Sequence, residues 1–537
     1  MMRGLASLYS WRLPLQLLRM LAASEYRAWA YLRTFWGTQD FSKPIRTSRP
    51  IDPLAIGLLY MVAALELSLG VAYIVAGQVY QVAGGLEFGA ALIIGCPIVL
   101  AHVLILPVLI WRLLHPKATG KALLTAMLAR QVVRLRKRHA FRVVGVAGSV
   151  GKTSTKIAIA RLLGATNAVR WQEGNYNDPV TVPLIFFGHV QPHIFNVPAW
   201  LVILLANERA IRKPYPYQFV VAELGTDAPG TIERFAYLKP DLVVITAVTA
   251  EHMEFFETVD NVAKEELAAL AYAKQSLVNT DDVPTQYLKN HQYESYGLTP
   301  QSMYYAKKRT TKKRHAGQTV TFQLGKAHEI TADISLLGEQ GAKVAVAAVA
   351  AGHALGLDEQ ALEAGIVTLA AFAGRMQVLP GIKNSTLIDD TYNASPVATK
   401  AALDVLYAGD APQRIAILGS MNELGGYSPE AHREVGAYCD PKKLDIVVTI
   451  GPDAEHYLAP VAREQGCIVE TFASPYMAGE YVRDHLQEGA VVLAKGSQNR
   501  VFAEEALKTL LENPGDVHKL VRQSSHWLTV KKKQFKP

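Results

Sequence analysis

The stretch GVAGSVGKTST, Gly145–Thr155, decides the fold. The apolar run FRVV (141–144) precedes it and TKIAIARLLGA (155–165) follows, so a buried strand turns through glycines into a helix. The common phosphate loop, G-x-x-x-x-G-K-[ST], places its first glycine at position 146, where this chain has Val146. Gly148, Gly151, Lys152 and Thr153 give the shorter spacing G-x-x-G-K-T. Across Gly148, Ser149, Val150, Gly151, Lys152, Thr153 and Ser154, backbone N–H groups and a helix N-terminus are offered to bound phosphates. Lys152 is expected to neutralise the β- and γ-phosphates of ATP, and the Thr153 hydroxyl to ligate Mg²⁺.

The length, 537 residues, allows two or three domains with sizeable cores. The net charge is +8. The positive residues gather near the N-terminus and in the tail KKKQFK, which argues against a nucleic-acid partner. Cys96, Cys439 and Cys467 lie far apart without metal-ligand spacing and read as free thiols of a reducing compartment. Two apolar runs, about 54–77 and about 88–111, each reach the roughly 20 residues that cross a bilayer. The first contains Glu66. Their connector, QVYQVAGGLE, has no Lys or Arg, whereas both outer flanks are basic. Residues 7–36 mix Arg with Trp, Tyr and Leu, as an interfacial helix does. The expectation is a multi-pass cell-membrane protein in contact with lipid, its catalytic domains in the bacterial cytoplasm.

A basic helix from about Lys121 to Arg138 leads into the first strand. QFVVAELG, DLVVITAV and SLVNTDD then read as apolar strands ending in polar residues, the pattern of a parallel α/β sheet. Ligands of such sheets bind at the carboxyl ends of the strands. A β excursion, QTVTFQLGKAHEITADISLLG, and an Ala-rich helix follow. A third unit starts near Ala373-Gly374-Arg375, with strands RIAILGS, DIVVTIG and AVVLAKG. PAWLVILLANERAI, from Pro198, is too short to span a bilayer and reads as a core helix. The predicted organisation is a membrane-anchoring region over 1–120, a central phosphate-loop parallel-sheet domain over 121–372, and a Rossmann-like α/β domain over 373–537.

In that order the chain resembles the Mur ligases. The loop AGSVGKTS has their shortened form, and GNYNDPVTVPL (174–184) resembles G-N-x-N-x-x-x-G-V-P-L. AELGTDAPGTIERF resembles E-x-G-x-x-x-x-G-E-I, and AEHMEFF resembles A-H-L-E. DDTYNASP (389–396) resembles D-D-x-Y-N-A-N-P, ILGSMNELGG with a downstream H-x-x-x-G resembles I-L-G-D-M-x-E-L-G, and LAKGS resembles V-K-G-S. The resemblance implies an ATP-dependent amide-bond ligase of peptidoglycan precursor synthesis. Such an enzyme phosphorylates a carboxylate and lets an amine displace phosphate from the acyl phosphate. It implies a muropeptide or other carboxylate acceptor, and an amino acid or dipeptide amine such as D-Ala-D-Ala.

The resemblance also carries residue roles. Glu223 and His252 are implied Mg²⁺ ligands, both at strand ends facing the loop. Asp390 and Asn393 are expected to reach the nucleotide from the third unit, with Tyr392 nearby, and Arg375 to contact phosphates. Asn175 and Asn177 are expected near the acceptor, and Lys495 and Ser497 near the amine.

The departures are specific. The family's G-R-H-N-x-x-N is GEQGAKV here, with Gln340 and Val344 at the His and second Asn positions. Its A-K-A-K-G-E-I, whose second lysine is carbamylated, is NVAKEEL here. Lys264 stands at the first lysine, and Glu266 at the second is expected to supply the metal-ligating carboxylate directly. Residues 1–120 do not resemble the family's uridine-nucleotide-binding domain. Poly-γ-glutamate synthases and lipid II-modifying ligases share the chemistry and lack that domain, so they remain alternatives. From another class, a membrane-hairpin phosphate-loop kinase would end in a tyrosine cluster, which SSHWLTVKKKQFKP lacks. A nucleotide-gated scaffold is the third reading.

Overall fold

Strand-forming runs of Val, Ile, Leu and Ala separate helices whose buried faces are equally apolar, so the chain folds into layered sheets. The computed structural model describes residues 13–23, 31, 56, 60–61, 116–172, 176–250, 253–311, 317–325, 328–408, 410–422 and 424–535. The chain divides into Met1–Ala126 and Met127–Pro537.

In the second unit the described strands form two sheets, of nine and six strands. The first holds β1 (Arg142–Ala147), β2 (Val169–Arg170), β3 (Phe219–Glu223), β4 (Leu242–Ile245), β5 (Gln275–Asn279), β6 (Glu294–Gly297), β7 (Tyr304–Thr311), β8 (Gln318–Leu324) and β9 (His328–Ile334). Their order is β2-β3-β1-β4-β5-β6-β7-β8-β9. From β2 to β7 the neighbours run parallel, and β7-β8-β9 is an antiparallel meander. The chain leaves β1, builds β2 and β3 on one side, and crosses to β4 on the other. The carboxyl end of β1 is therefore a topological switch point, where open α/β sheets bind ligands. The phosphate loop starts there.

The helix Lys152–Gly164 packs one face on the sheet and the other against the Ala-rich helix Gly338–Ala354. The small side chains of the Ala-rich helix allow the close approach: Ala345, Ala347, Ala348, Ala350 and Ala351 are fully buried.

The second sheet holds β10 (Gln377–Gly381), β11 (Ser385–Asp390), β12 (Arg414–Gly419), β13 (Ile446–Ile450), β14 (Val469–Phe472) and β15 (Val491–Lys495). The order is β10-β11-β15-β12-β13-β14, antiparallel at β10-β11 and parallel elsewhere. Its carboxyl ends, Asp390 and Lys495 on adjacent strands, face the cleft region described below.

Two expectations are corrected. Among the described residues no helix is long and apolar enough to cross a membrane. The helix Leu13–Ala23 has 11 residues, about 16 Å at 1.5 Å per residue, short of a roughly 30 Å hydrocarbon core. Pro116–Arg138 is 23 residues long but carries Lys117, Lys121, Arg130, Arg134, Arg136, Lys137 and Arg138. The apolar runs behind the membrane expectation lie outside the described residues, save Ile56, Tyr60 and Met61, as do Glu66 and Cys96. The multi-pass location and the lipid partner are therefore withdrawn.

The second correction concerns PAWLVILLANERAI, which is a surface helix, Val197–Arg212. It buries Trp200, Ile203, Asn207 and Ile211, while Leu201, Val202 and Leu205 are exposed. A continuous apolar run hid which face was buried.

Candidate active site

The phosphate loop is held by contacts that a longer side chain would break. Gly148 has φ +122°, and a Cβ there would lie 2.4 Å from Thr246 Oγ1 and 2.8 Å from the Ala247 nitrogen. Gly151, at φ +87°, is the left-handed residue that opens the helix at Lys152. Ser149 N–H donates to the Ala247 carbonyl at 2.9 Å, and Thr249 N–H donates to Ser149 Oγ at 3.1 Å. The loop is thus stapled to the segment after β4.

Charged side chains meet beneath it. Glu266, fully buried, accepts the Gly148 N–H at 2.7 Å, and its other oxygen lies 3.6 Å from Lys152 Nζ. Lys152 also donates to the Ser149 carbonyl at 3.2 Å. Glu223 ends β3 beside Val146 of β1. Asn177 Nδ2 donates to its Oε1 at 3.3 Å, and Lys156 Nζ lies 3.3 Å from its Oε2. Lys156 is one helical turn beyond Lys152 and completely buried, so it serves as the counter-charge of Glu223. The i, i+4 spacing of Lys152 and Lys156 is the signal in the sequence for this second lysine.

The neighbouring acid Glu265 differs from Glu266. It accepts Thr226 Oγ1–H, Gly230 N–H and Ile232 N–H, closing the turn after β3. Lys264 is exposed.

Ser149, Val150, Gly151, Lys152 and Thr153 form one wall of an open cleft. Asn177, Glu223 and Asp227 continue that wall, and Arg375, Tyr392, Asn393, Asn422 and Gln498 face it from the second sheet. The Arg375 guanidinium stacks 4.3 Å from the Tyr392 ring centroid, and its Nε makes no hydrogen bond. Asp227, Asn422 and Gln498 were absent from the sequence expectations, although Asn422 and Gln498 stand within or beside quoted motifs.

Other expected residues are committed internally. Lys495 is buried and donates to Asp390 Oδ2 at 2.6 Å and to the Asn393 carbonyl at 3.0 Å. Asp390 also accepts the Met376 N–H at 3.1 Å. Both line a second cavity of about 790 Å³ with Ser154, Leu336, Val344 and Val397. Ser497 is buried, its Oγ accepting the Asn422 N–H at 2.8 Å. A third, small cavity joins Gly151 and Thr155 to Asn279, Asp282, Gln340 and Lys343. There Lys343 donates to both Asp282 oxygens, at 2.7 and 2.8 Å, so a cation stands one residue before Val344. Asn175 and His252 lie outside the described residues.

The donor set suits a nucleotide and a hard cation. The loop is a backbone cradle that a Cβ would fill, and Thr153 and Glu223 supply oxygen ligands on its rim. Among the described residues no group of three His, Cys, Asp or Glu side chains gathers as a ready metal cage.

Comparison with known proteins agrees with this geometry. Residues 146–352 match the Mur ligase middle domain, and residues 374–498 match the Mur ligase glutamate ligase domain. The chain is a Mur-type, ATP-dependent ligase. It is 27% identical over 382 residues to the UDP-N-acetylmuramoyl-tripeptide–D-alanyl-D-alanine ligase of Bacillus subtilis, covering 70% of this chain and 76% of the relative. The enzyme of the same name from Haemophilus influenzae is 30% identical over 333 residues, 60% of this chain and 66% of the relative. The MurF ligase of Thermotoga maritima, solved in complex with ADP, shares the fold with a TM-score of 0.59 at 22% identity, over 72% of this chain and 83% of that one. This ligase therefore combines a central parallel-sheet domain with a C-terminal α/β domain.

Two outcomes follow. Gly148→Ala forces a side chain into the Thr246 backbone at a positive φ, a strain of about 1–3 kcal/mol, so nucleotide affinity should fall roughly 10- to 100-fold. Calorimetric titration with ADP measures this, and a thermal midpoint within a few degrees of wild type shows that the fold persists.

His432 gives the second. It is fully buried, accepts the Met421 N–H at Nε2 (2.9 Å) and bonds the Ser428 carbonyl through Nδ1 (2.7 Å), so it is neutral and holds the segment carrying Asn422. Burial depresses its pKa below the usual histidine value. The unfolded state then binds the proton more tightly, so His432 contributes stability above about pH 6.5 that is lost as pH falls through the folded-state pKa. Urea midpoints from pH 7.5 to 5 should fall more steeply for wild type than for His432→Gln, and parallel slopes would refute this.

Proposed function

We propose that this ligase joins D-alanyl-D-alanine to the carboxylate of a UDP-N-acetylmuramoyl tripeptide, with ATP as energy source, in peptidoglycan precursor synthesis. The observation that carries the reading is the cleft itself. Its walls carry the segments by which the sequence resembles the Mur ligases: the short loop, Asn177, Glu223, and Tyr392 and Asn393 of the D-D-T-Y-N-A segment. The acceptor carboxylate attacks the γ-phosphorus and ADP leaves. The dipeptide amine then attacks the acyl carbon and inorganic phosphate leaves.

Each residue has a physical task in this scheme. The loop amides and Lys152 bind the phosphates, and Arg375 faces them from the opposite wall, where its Nε has a hydrogen bond to give. Thr153 and Glu223 would hold Mg²⁺, with His252 as the further expected ligand, and the ion would neutralise charge gathering on the phosphate oxygens. Glu266 shapes the loop from beneath through Gly148 and Lys152; its standing in for the family's carbamate is part of the proposal and rests on the sequence resemblance. Asn177 and Asp227 are assigned to the acceptor, and Asn422 and Gln498, on the other wall of the cleft, to the amine. Asn393 contributes to the nucleotide side. Asp390, Lys495 and Ser497 support it from behind, their polar atoms already hydrogen-bonded within the protein. The nucleoside is assigned to the surface beside Gly151, where Gln340, Lys343 and Asn279 stand.

The test is phosphate release with ATP, Mg²⁺ and a panel of muropeptides, amino acids and dipeptides. Release is expected with UDP-N-acetylmuramoyl tripeptide plus D-Ala-D-Ala, and none with Lys152→Ala, which should remain folded. Dependence on a different acceptor–amine pair would refute the substrate assignment.

Glu266→Gln loses a charge-assisted bond in the buried loop, about 1.5–3 kcal/mol, so turnover should drop roughly 10- to 100-fold. Lys264→Ala, at an exposed helix position, should stay within about twofold, and bicarbonate should not stimulate the wild type. A dead Lys264→Ala rescued by short carboxylic acids would assign the carbamate to Lys264 instead.

A further inference from the structure

The family match ends at residue 498, yet the chain after it returns to the cleft. Arg522 is the point of return. Its Nη1 donates to the Tyr392 carbonyl at 3.0 Å and its Nη2 to the Thr391 carbonyl at 2.6 Å. The other edge of the guanidinium grips Glu504, Nε to Oε1 at 2.8 Å and Nη2 to Oε2 at 2.6 Å. Four donor contacts in one plane require the arginine fork, which a lysine ammonium does not offer.

The anchor is buried. Glu504 and Lys531 are fully buried, with Lys531 Nζ 2.8 Å from Glu504 and 2.5 Å from Glu505. Lys531, on the helix Ser525–Gln534, also donates to the Arg522 carbonyl at 2.9 Å. Lys508 Nζ also lies 2.7 Å from Glu505, so Glu504 and Glu505 are met by Arg522, Lys531 and Lys508, and removing a partner would leave a buried carboxylate short of its counter-charge. Backbone strain accompanies the arrangement, since Phe502 and Arg522 have φ of 51° and 55°. Such strain in non-glycine residues persists where surrounding contacts over-determine it.

What is gripped belongs to the active site. Thr391 and Tyr392 join the end of β11 to Asn393, and Tyr392 carries the Arg375 guanidinium on its ring. The same segment is fixed from Gly374, whose carbonyl accepts the Tyr392 N–H at 2.9 Å. A Cβ at Gly374 would meet Val521, the residue before Arg522, at 2.8 Å. The C-terminal segment therefore touches both the start of the third unit and the loop that faces the phosphates.

We propose that Arg522 is a positioning residue of the active site, its fork on the Thr391 and Tyr392 carbonyls setting the loop that presents Tyr392, Arg375 and Asn393 to the cleft, with the Glu504–Lys531–Glu505 cluster as its anchor. The proposal rests on the ligase reading for where the loop acts, and loop order itself is measurable without any substrate.

The experiment compares Arg522→Lys and Arg522→Met in the full chain. Arg522→Lys keeps a charge opposite Glu504 but loses the fork, so it tests positioning even if Arg522→Met fails to fold. In Arg522→Lys, hydrogen exchange of residues 389–395 should rise about tenfold while that of the phosphate loop, 145–155, is unchanged. The kcat should fall roughly tenfold or more with KM for ATP within about threefold, as for an interaction realised in the transition state. In Arg522→Met, added guanidinium at sub-denaturing concentration should restore part of kcat without raising the thermal midpoint. Unchanged exchange at 389–395, or a lowered thermal midpoint with unchanged kcat, would overturn the proposal. Raised exchange at 389–395 in an enzyme inactive on the proposed substrates would support the positioning role and overturn the substrate reading instead.

Discussion

The close approach of Gly148 to the backbone after β4 is the constraint on which the site depends. With no Cβ, the loop can lie against Thr246 and Ala247, and Ser149 then exchanges hydrogen bonds with Ala247 and Thr249. That stapling aims the helix N-terminus at Lys152 into the cleft. It also brings Glu266 up against the loop from below, where a carboxylate is sustainable because it receives a backbone N–H and faces a lysine. An unpaired buried charge costs several kcal/mol, so these acids and lysines specify one another's positions. Glu223 and Lys156 repeat the arrangement one helical turn along.

The second sheet supplies the opposite wall by the same logic. Asp390 and Lys495 end neighbouring parallel strands, and their 2.6 Å contact pairs the two charges with each other instead of leaving them free for ligands. Asp389, the residue before, is fully buried and its pKa is pushed up to about 6 by that burial, against the opposing effect of its hydrogen bonds from Thr391. The D-D pair is thus a structural hinge as much as a ligand set: one acid holds Gly374 and Thr391, the other holds Met376 and Lys495. What projects into the cleft from this segment is Tyr392 and Asn393, with Arg375 resting on the tyrosine.

The departures from the family's patterns have local physical answers. Where the resemblance implies His and Asn in the first turns of the Ala-rich helix, this chain has Gln340 and Val344, and the adjacent Lys343 pairs with Asp282. Where the family carries a carbamylated lysine, the chain has a buried acid, and the lysine beside it is exposed. A two-residue offset on a helix separates the two by about 200°, which is why one is inside and the other outside.

The sequence by itself determined the element types and the loop. Apolar strands ending in polar residues, a glycine spacing of three before Gly-Lys-Thr, and motifs in order fixed a parallel α/β architecture, and β1, β3, β4, β5, β12, β13 and β15 stand where those runs predicted them. These features are legible because they are local: period, steric freedom and spacing are properties of neighbouring residues. Tertiary structure decided what depends on distant partners. Which face of Val197–Arg212 is buried, why Lys495 and Ser497 are spent on internal bonds, and how Lys156 serves Glu223 are set by segments tens or hundreds of residues away. The same holds for Arg522, 130 residues from the carbonyl it grips, whose side chain gives no sign in the sequence of the loop it reaches. Charge pairing across a fold leaves no periodicity along the chain, so only the packed molecule reveals it.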